Sequence, residues 1–206
     1  MNRRLACAAA LGWLLAGCAA LSPPPDAASV TGAQLQRPYA EAIELAGRLS
    51  VQYRRGNTDE ALHGSFSWSQ TPQRTLVTLL SPLGQTLAVI EVQPGSATLT
   101  QAGQPPQAAP DADALAQTAL GWPLPVAGLR TWLQGFAQDA RGQRWIAPPA
   151  SGSTVTTPDG WHIVYASWQQ DNRDATARPR RIDLARQTQE AGPVSLRIVI
   201  DHWQAN

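Results

Sequence analysis

The sequence predicts a mainly antiparallel β protein with a few helices, in which the sheet is curled or only partly closed and the helices pack on its concave side. Apolar and polar residues alternate with a period of two towards both ends of the chain, as along Leu49, Val51 and Tyr53. The middle of the chain has helical spacing instead. Strands and helices do not alternate regularly, so a parallel βαβ architecture is not indicated.

The N-terminus has the pattern of a bacterial lipoprotein signal. Two arginines precede an apolar run over residues 5–15, and Leu-Ala-Gly-Cys follows, ending at Cys18. These four residues match the lipobox, so we predict a signal peptide over 1–17 and a lipid anchor on Cys18. The alternative is a plain signal peptide with a chance cysteine. Ala19 follows in place of Asp, which under the enterobacterial sorting rule indicates the outer membrane.

A tether and one folded domain are expected after the anchor. Residues 18–38 contain three consecutive prolines followed by small polar residues, and such a segment cannot build a core. Residues 39–206 suit a single domain. The chain has two cysteines: Cys7 leaves with the signal peptide and Cys18 carries the lipid. The mature domain is therefore expected to contain no disulfide and no cysteine-based metal site.

The domain is predicted to begin with a short helix, because Tyr39, Ile43 and Ala46 share one face between Pro38 and Gly47. Strands are predicted in order near residues 49–53, 62–68, 74–80, 87–92 and 97–100. Two helices follow, one capped by Asp111 and ended by Gly121, the other running from Val126 to Gly135. Strands return near 161–165, 182–184 and 194–200, for a total of roughly seven to ten.

A turn at Pro82, Leu83 and Gly84 separates two apolar strands. Proline fixes its own φ and glycine permits a positive one, so the chain reverses here, and turns lie on the surface. Leu83 is therefore expected to be an aliphatic side chain at a hairpin tip. Taken alone, the pattern also fits an ordinary exposed leucine or a tip folded back onto the body.

Composition and motifs favour a protein without catalysis or a cofactor. The formal net charge is +1 and 15% of residues are charged, so no basic face suggests nucleic acid. The three histidines, His63, His162 and His202, lack metal-ligand spacing. No phosphate loop or activated nucleophile is present, and the carboxylates are scattered. We predict no enzyme, no cofactor and no metal, although a carboxylate pair could still meet in space. Without a nucleotide site, any transport must lower the free energy of the system by itself.

An ordered set of short motifs, spread from about residue 39 to Trp203, resembles the LolB family of outer-membrane lipoprotein receptors. The motifs are Gly47–Val51, Gly64–Trp68, Pro82–Thr86, Leu120–Pro125, Leu129–Gly135 and Gly160–Tyr165. The resemblance implies an incomplete, unclosed β-barrel with a helical lid over an apolar cavity. It also implies that a monomeric, lipid-anchored domain faces the periplasm, accepts lipoproteins from the soluble carrier LolA and inserts their acyl chains among outer-membrane phospholipids.

The resemblance assigns roles to particular residues. In the family an aliphatic residue on a protruding loop serves membrane insertion, which carries over to Leu83 with Pro82 and Gly84. The cavity candidates are the apolar residues expected to point inward, although the sequence does not show which face of each strand does so, and each could equally be ordinary core. These candidates are Leu49, Val51, Phe66, Trp68, Leu76, Leu87, Val89, Leu115, Leu129, Trp132, Ile163, Ile198 and Ile200.

Two other functions remain open at this point. The first is a structural outer-membrane lipoprotein, such as an assembly-complex subunit with Leu83 at a protein interface. The second is a lipid- or glycan-active hydrolase built on an unrecognised carboxylate pair.

The free energy of exposing acyl chains to water constrains the receptor hypothesis. A triacylated anchor has on the order of 45 methylenes at about 0.8 kcal/mol each, so its transfer must avoid water.

Overall fold

The computed structural model describes residues 37–170, 176–189 and 191–205. The predicted signal peptide, Cys18 and nearly all of the tether lie outside these residues. The elements within them, in chain order, are β1 (Ile43–Arg55), β2 (Thr58–Gln70), β3 (Thr75–Leu80), β4 (Thr86–Gln93), β5 (Ser96–Gln101), β6 (Gln107–Ala109), α1 (Ala112–Leu120), α2 (Val126–Trp132), β7 (Phe136–Gln138), β8 (Arg144–Ile146), β9 (Ser153–Thr156), β10 (His162–Gln170), β11 (Ala177–Gln187) and β12 (Pro193–Ala205).

Ten of these strands form one antiparallel sheet in the order β6-β5-β4-β3-β2-β1-β12-β11-β10-β9, and β7 pairs with β8 in a separate hairpin. The edge strands β6 and β9 do not pair with each other, so the sheet is not closed into a barrel. The long strands β1 and β12 pair with each other at the centre, which joins the two ends of the domain. The predicted class, an unclosed antiparallel half-barrel with helices, is confirmed.

Helix α1 begins and ends where the sequence predicts, and α2 begins at Val126 as predicted. The predicted end of α2 at Gly135 is wrong: the helix ends at Trp132, because residues 133–135 form a turn in which the Gln134 and Gly135 N–H groups donate to the Thr131 and Trp132 carbonyl oxygens. The Asp111 carboxylate accepts a hydrogen bond from the Ala114 N–H at 2.8 Å, and Gly121 ends α1 in the left-handed region at φ 80°. This satisfies backbone groups that a helix end otherwise leaves unpaired. Both helices contribute buried apolar side chains to the core between themselves and the sheet, among them Leu115 of α1 and Leu129 of α2.

The predicted helix over residues 38–47 is wrong. Residues 37–40 have no regular structure, and β1 already begins at Ile43. Ile43 and Leu45 are buried while Glu44 between them is exposed, so the period-two pattern extends back from Leu49. The helical spacing was misleading because long-range pairing with both β2 and β12 determines the structure of this segment.

Two strand glycines allow neighbouring backbones to approach closely. A Cβ atom at Gly47 would lie 2.0 Å from the Val199 carbonyl oxygen, and one at Gly64 would lie 2.1 Å from the Leu80 carbonyl oxygen. The ring of Phe66 covers Gly47, with its Cε1 3.0 Å from that Cβ position. The register of the β1–β12 pair also shifts at Gly47. Strand glycines commonly mark such bends and close approaches.

Arg37, which the sequence assigns to the tether, is buried in the folded part. Its guanidinium donates hydrogen bonds to the carbonyl oxygens of Ala177 (2.8 Å), Gln134 (3.0 Å) and Ala147 (3.0 Å). It also lies 4.6 Å from the centre of the Trp168 ring. Burial lowers the pKa of Arg37, and the three carbonyls and the aromatic face compensate its charge. The chain is thereby fixed to the domain just before β1.

Candidate functional site

The interior between the sheet and the helices is apolar and almost closed. A cavity of about 20 Å³ lies there, roughly the space for one water molecule. Four strands of the concave face and the segment around α2 supply its lining. The lining residues are Leu49, Phe66, Trp68, Val77, Leu79, Leu124, Leu129, Leu133, Leu196 and Ile198.

Ten of the thirteen predicted inward residues are buried in the core. Five of them line the cavity: Leu49, Phe66, Trp68, Leu129 and Ile198. The other five belong to the same buried cluster without lining the cavity: Val51, Leu115, Trp132, Ile163 and Ile200. On β1, β2 and β12 the structure therefore places the apolar face where the alternation predicts it.

The inward placement of Leu76, Leu87 and Val89 is wrong. These three lie outside the buried cluster, and Leu87 is 37% exposed. Val77 and Leu79 point inward from β3 in their place, as do Ala88 and Ile90 from β4. Because β3 and β4 carry apolar residues on both faces, the alternation of apolar and polar residues does not show which face points inward. An error of one residue in the assumed alternation moves every side chain of the strand to the opposite face.

Five lining residues were missed by the sequence reasoning. Val77 and Leu79 were missed because the opposite face of β3 was predicted to point inward. Leu196 lies on the same alternating face of β12 as Ile198, and Leu133 follows Leu129 by four residues on the apolar helical face. The spacing of apolar residues could therefore have identified both. Leu124 lies in the proline-containing connection before α2, where no period predicts burial.

Side-chain hydrogen bonds fasten α2 over the cavity. Arg130 of α2 donates to the Thr75 hydroxyl at the start of β3 and to the Thr71 carbonyl oxygen (2.9 Å). Tyr165 of β10 donates through its phenol to the Trp132 carbonyl oxygen at 3.0 Å. Burial raises the pKa of Tyr165, so the phenol keeps the proton that it donates.

The start of α2 is held by α1. The Asp113 carboxylate accepts a hydrogen bond from the Ala127 N–H at 3.0 Å. Burial raises the pKa of Asp113, and this hydrogen bond only partly opposes the rise. The two helices are therefore linked by a cap that crosses between them, and they form one cover over the concave face. We call α1, α2 and the connection between them the helical cover.

The hairpin between β3 and β4 presents Leu83 to solvent. The Gly84 N–H donates to the Ser81 carbonyl oxygen at 2.9 Å, and the Ser81 N–H donates to the Gln85 carbonyl oxygen at 2.8 Å. Gly84 adopts φ 80°, so the three-residue loop closes as a turn followed by a left-handed glycine. The Leu83 side chain is 88% exposed at the tip.

Leu83 and Leu87 are the large hydrophobic side chains that are exposed in the described part of the chain. Both lie on the same hairpin, four residues apart. Leu87 is at the irregularity where the β3–β4 register shifts. An isolated exposed leucine is ordinary, but two together at one protruding end form a small apolar surface. Both side chains of this Leu83–Leu87 surface are exposed and lie outside the buried apolar cluster.

The described residues contain no group of three or more His, Cys, Asp and Glu side chains placed to hold a metal ion. Within the same ranges, no helix has the length and apolar character needed to cross a bilayer. The carboxylates there whose pKa is shifted have structural partners: Glu91, Asp183 and Asp201 bind arginines, and Asp113 caps α2.

The fold and the site define an open antiparallel half-barrel with a helical cover, an apolar interior and an apolar loop tip in solvent. The family described as "Outer membrane lipoprotein LolB" matches residues 41–203, and the chain belongs to this family.

Individual relatives match over most of the chain. The outer-membrane lipoprotein LolB of Cupriavidus necator is 41% identical over 189 residues, which cover 91% of this chain and 90% of that protein. The outer-membrane lipoprotein LolB of Thiobacillus denitrificans is 38% identical over 203 residues, 98% of each chain. Among solved structures, a LolA superfamily protein from Nitrosomonas europaea aligns with 87% of this chain and 93% of its own at a TM-score of 0.47 and 8% identity.

Proposed function

We propose that this protein is a monomeric receptor, anchored in the outer membrane by lipid on Cys18, whose domain faces the periplasm. It accepts lipoproteins from the soluble carrier LolA and releases their acyl chains into the outer membrane without nucleotide energy. Membership of the LolB family supports this proposal, as does the name of its relatives. The observation that carries it is an 88%-exposed leucine on a protruding hairpin of a domain whose interior is apolar.

The structure corresponds to a closed form of the receptor in this proposal. The cavity of about 20 Å³ is far too small for an acyl chain. A 16-carbon chain needs on the order of 500 Å³, since a methylene takes about as much space as a water molecule in the liquid, ~30 Å³. Cargo therefore binds by separating the helical cover from the sheet, and acyl carbons replace the contacts that Leu124, Leu129 and Leu133 make with the concave face.

This exchange needs no external energy. The cargo moves from one apolar environment to another, so the large hydrophobic term is nearly the same at the start and the end. Exposing the chains to water between them would cost tens of kcal/mol at about 0.8 kcal/mol per methylene. Contact between protein and bilayer is therefore required during release. Leu83 provides that contact: burying one leucine contributes roughly 1.5–3 kcal/mol, enough to orient the domain but not to trap it.

A transfer assay tests the proposal. The chain from residue 19 onward, which lacks the lipidated cysteine, is mixed with purified LolA loaded with a lipoprotein, and the location of the lipoprotein is followed by pulldown. We expect one-way movement of the lipoprotein to this protein, dependent on its acyl chains. A well-folded chain that receives nothing from a competent carrier would instead favour an assembly-complex subunit. Turnover that is lost on changing one Asp or Glu would favour a hydrolase.

The contacts of Arg130 lead to a prediction about the helical cover. Replacing Arg130 with Met keeps the aliphatic stem and removes the hydrogen bonds to Thr75 and Thr71. We expect the free energy of unfolding to fall by about 1.5–3 kcal/mol, the usual contribution of a hydrogen bond to a charged group. We also expect the rate of uptake of a fluorescent fatty acid to rise severalfold, because the cover separates more easily. Denaturant titration and stopped-flow fluorescence measure the two effects.

The matched control is Arg141→Met, since Arg141 is an exposed arginine in the turn between β7 and β8, away from the cover. It should change neither quantity. A loss of stability in Arg130→Met without any change in uptake rate would mean that Arg130 holds the core together but does not control its opening.

A further inference from the structure

A groove lined by basic, polar and apolar residues lies on the convex face of the sheet, directly beside the hairpin that carries Leu83. Its volume is about 420 Å³, and Pro82 of the hairpin forms part of its wall. Arg48 and Ser50 of β1, His63 and Ser65 of β2, and Arg197 of β12 also line it. No acidic residue lines it within the part of the chain that the structure describes. We call it the convex groove.

The strand register explains why these side chains meet. On β1, Ser50 pairs with His63 of β2 on one side and with Arg197 of β12 on the other. Arg48, two residues before Ser50, therefore projects from the same face, in the next row. Side chains on adjacent rows of one face are within reach of each other when they are long. Two guanidinium groups and an imidazole consequently surround one concavity.

The arginines around the groove exceed the carboxylates that bind them. Arg48 forms an ion pair with Asp201 (2.9 Å). Asp183 is shared: it binds Arg181 at 2.7 Å and Arg197 at 2.8 Å. Among the described residues, these three guanidinium groups bind two carboxylates, which leaves one positive charge in excess. The Nε of Arg197 points to Asp183, and its side chain is 55% exposed. Guanidinium groups that are exposed and whose charge is not fully balanced by carboxylates bind phosphate oxygens well.

The groove lies close to Leu83, and this position indicates that the phosphate it binds belongs to a membrane phospholipid and is not free phosphate. Consecutive Cα atoms are about 3.8 Å apart, so Pro82, in the groove wall, is one residue behind the tip. Apolar groups of proteins that bind at a membrane surface reach about 5–10 Å into the boundary between headgroups and acyl chains. When Leu83 is at that depth, the groove behind it is at the level of the phospholipid headgroups.

We propose that the convex groove binds the phosphate of an anionic phospholipid headgroup, one that carries no cation of its own, through Arg48 and Arg197, and so sets the depth and orientation of the domain on the membrane. This inference rests on the proposed role of Leu83 as the inserted residue. Leu83 supplies the apolar contact and the groove the polar contact, and together they determine which side of the domain meets the bilayer.

Vesicle co-sedimentation tests the proposal. The mature chain with Cys18→Ala is mixed with vesicles of phosphatidylcholine, or with vesicles that also contain phosphatidylglycerol, at low salt. Removing both arginines in Arg48→Gln/Arg197→Gln should reduce partition to the anionic vesicles by about twenty-five-fold, roughly fivefold per charge. Partition to phosphatidylcholine vesicles should change less than twofold. Asp183→Asn, which releases a guanidinium group, should raise anionic partition by about fivefold.

Matched variants remove the same charges elsewhere. Arg54→Gln/Arg74→Gln takes away two exposed arginines that also pair with carboxylates, Asp59 and Glu91, and that do not line the groove. Asp59→Asn is the counterpart of Asp183→Asn. Equal effects of the groove and control variants would overturn the proposal, because they would reflect net charge only. Displacement from the vesicles by inorganic phosphate at a matched phosphate concentration would also overturn it and assign the groove to free phosphate.

Failure of this inference is distinguishable from failure of the proposed function. The contribution of Leu83 is measured on phosphatidylcholine vesicles with Leu83→Glu, where the net charge of the lipid does not contribute. The contribution of the groove is measured as the ratio of anionic to phosphatidylcholine partition. Normal partition of Leu83→Glu to phosphatidylcholine vesicles would remove the apolar contact, whereas an unchanged ratio in the double arginine variant would remove the groove.

Discussion

Leu83→Glu is expected to leave lipoprotein acceptance intact and to reduce insertion of acyl chains into liposomes at least tenfold. The side chain is 88% exposed in the folded protein, so its replacement should change the free energy of unfolding by no more than about 0.5 kcal/mol. A carboxylate, however, cannot enter the acyl region without an energetic penalty of several kcal/mol. Pulldown from loaded LolA measures acceptance, and recovery of lipoprotein in floated liposomes measures insertion.

Two variants of the same hairpin are matched controls. Gln85→Glu places the same charge two residues away at another exposed position and should insert cargo at close to the normal rate. Leu87→Glu should have an intermediate effect, because Leu87 is on the same apolar surface but is only 37% exposed. Normal insertion by Leu83→Glu would exclude Leu83 from the mechanism and leave it as an ordinary exposed leucine.

Gly47→Ala is expected to lower the free energy of unfolding by about 3 kcal/mol, the upper end of the range for overpacking. The new methyl group would overlap the Val199 carbonyl oxygen at 2.0 Å and contact the Phe66 ring at 3.0 Å. Because the overlapped atom belongs to the backbone of β12, no side-chain rotation relieves the clash. Domains of this kind are stable by only about 5–15 kcal/mol, so the loss is a large fraction of the total. Urea denaturation measures it.

Gly56→Ala is the informative comparison. Gly56 has a positive φ of 60°, and no atom of the described residues lies within 4 Å of the position that a Cβ would take there. Alanine at residue 56 should therefore cost only about 1 kcal/mol, from the backbone conformation alone. Gly47 is different because it has an ordinary φ. Without the close approach of β12, alanine at residue 47 would stabilise the protein by reducing the entropy of the unfolded chain. A stabilising Gly47→Ala would therefore contradict the close packing of β1 against β12.

Local chemistry allowed several elements to be predicted. Asp111 and Gly121 mark the ends of α1 because capping and the left-handed conformation depend on one or two neighbouring residues. The hairpin at Leu83 was predictable for the same reason, since a proline and a glycine suffice to specify a turn. The prediction of an N-terminal helix was wrong because Tyr39, Ile43 and Ala46 have helical spacing by coincidence. The segment is a strand because it pairs with β2 and β12, whose residues lie elsewhere in the chain.

The sequence by itself determined the class of fold, the limits of α1, the start of α2 and the exposed leucine of the hairpin, because each depends on periodicity or on turn residues that act locally. Tertiary structure alone decided which face of β3 and β4 turns inward, because both faces are apolar and only packing against the helical cover distinguishes them. It also decided that the interior is nearly closed and that Arg48 and Arg197 share a groove with Pro82. Those features depend on the pairing of β1 with β12, strands from opposite ends of the domain, which no local pattern reveals.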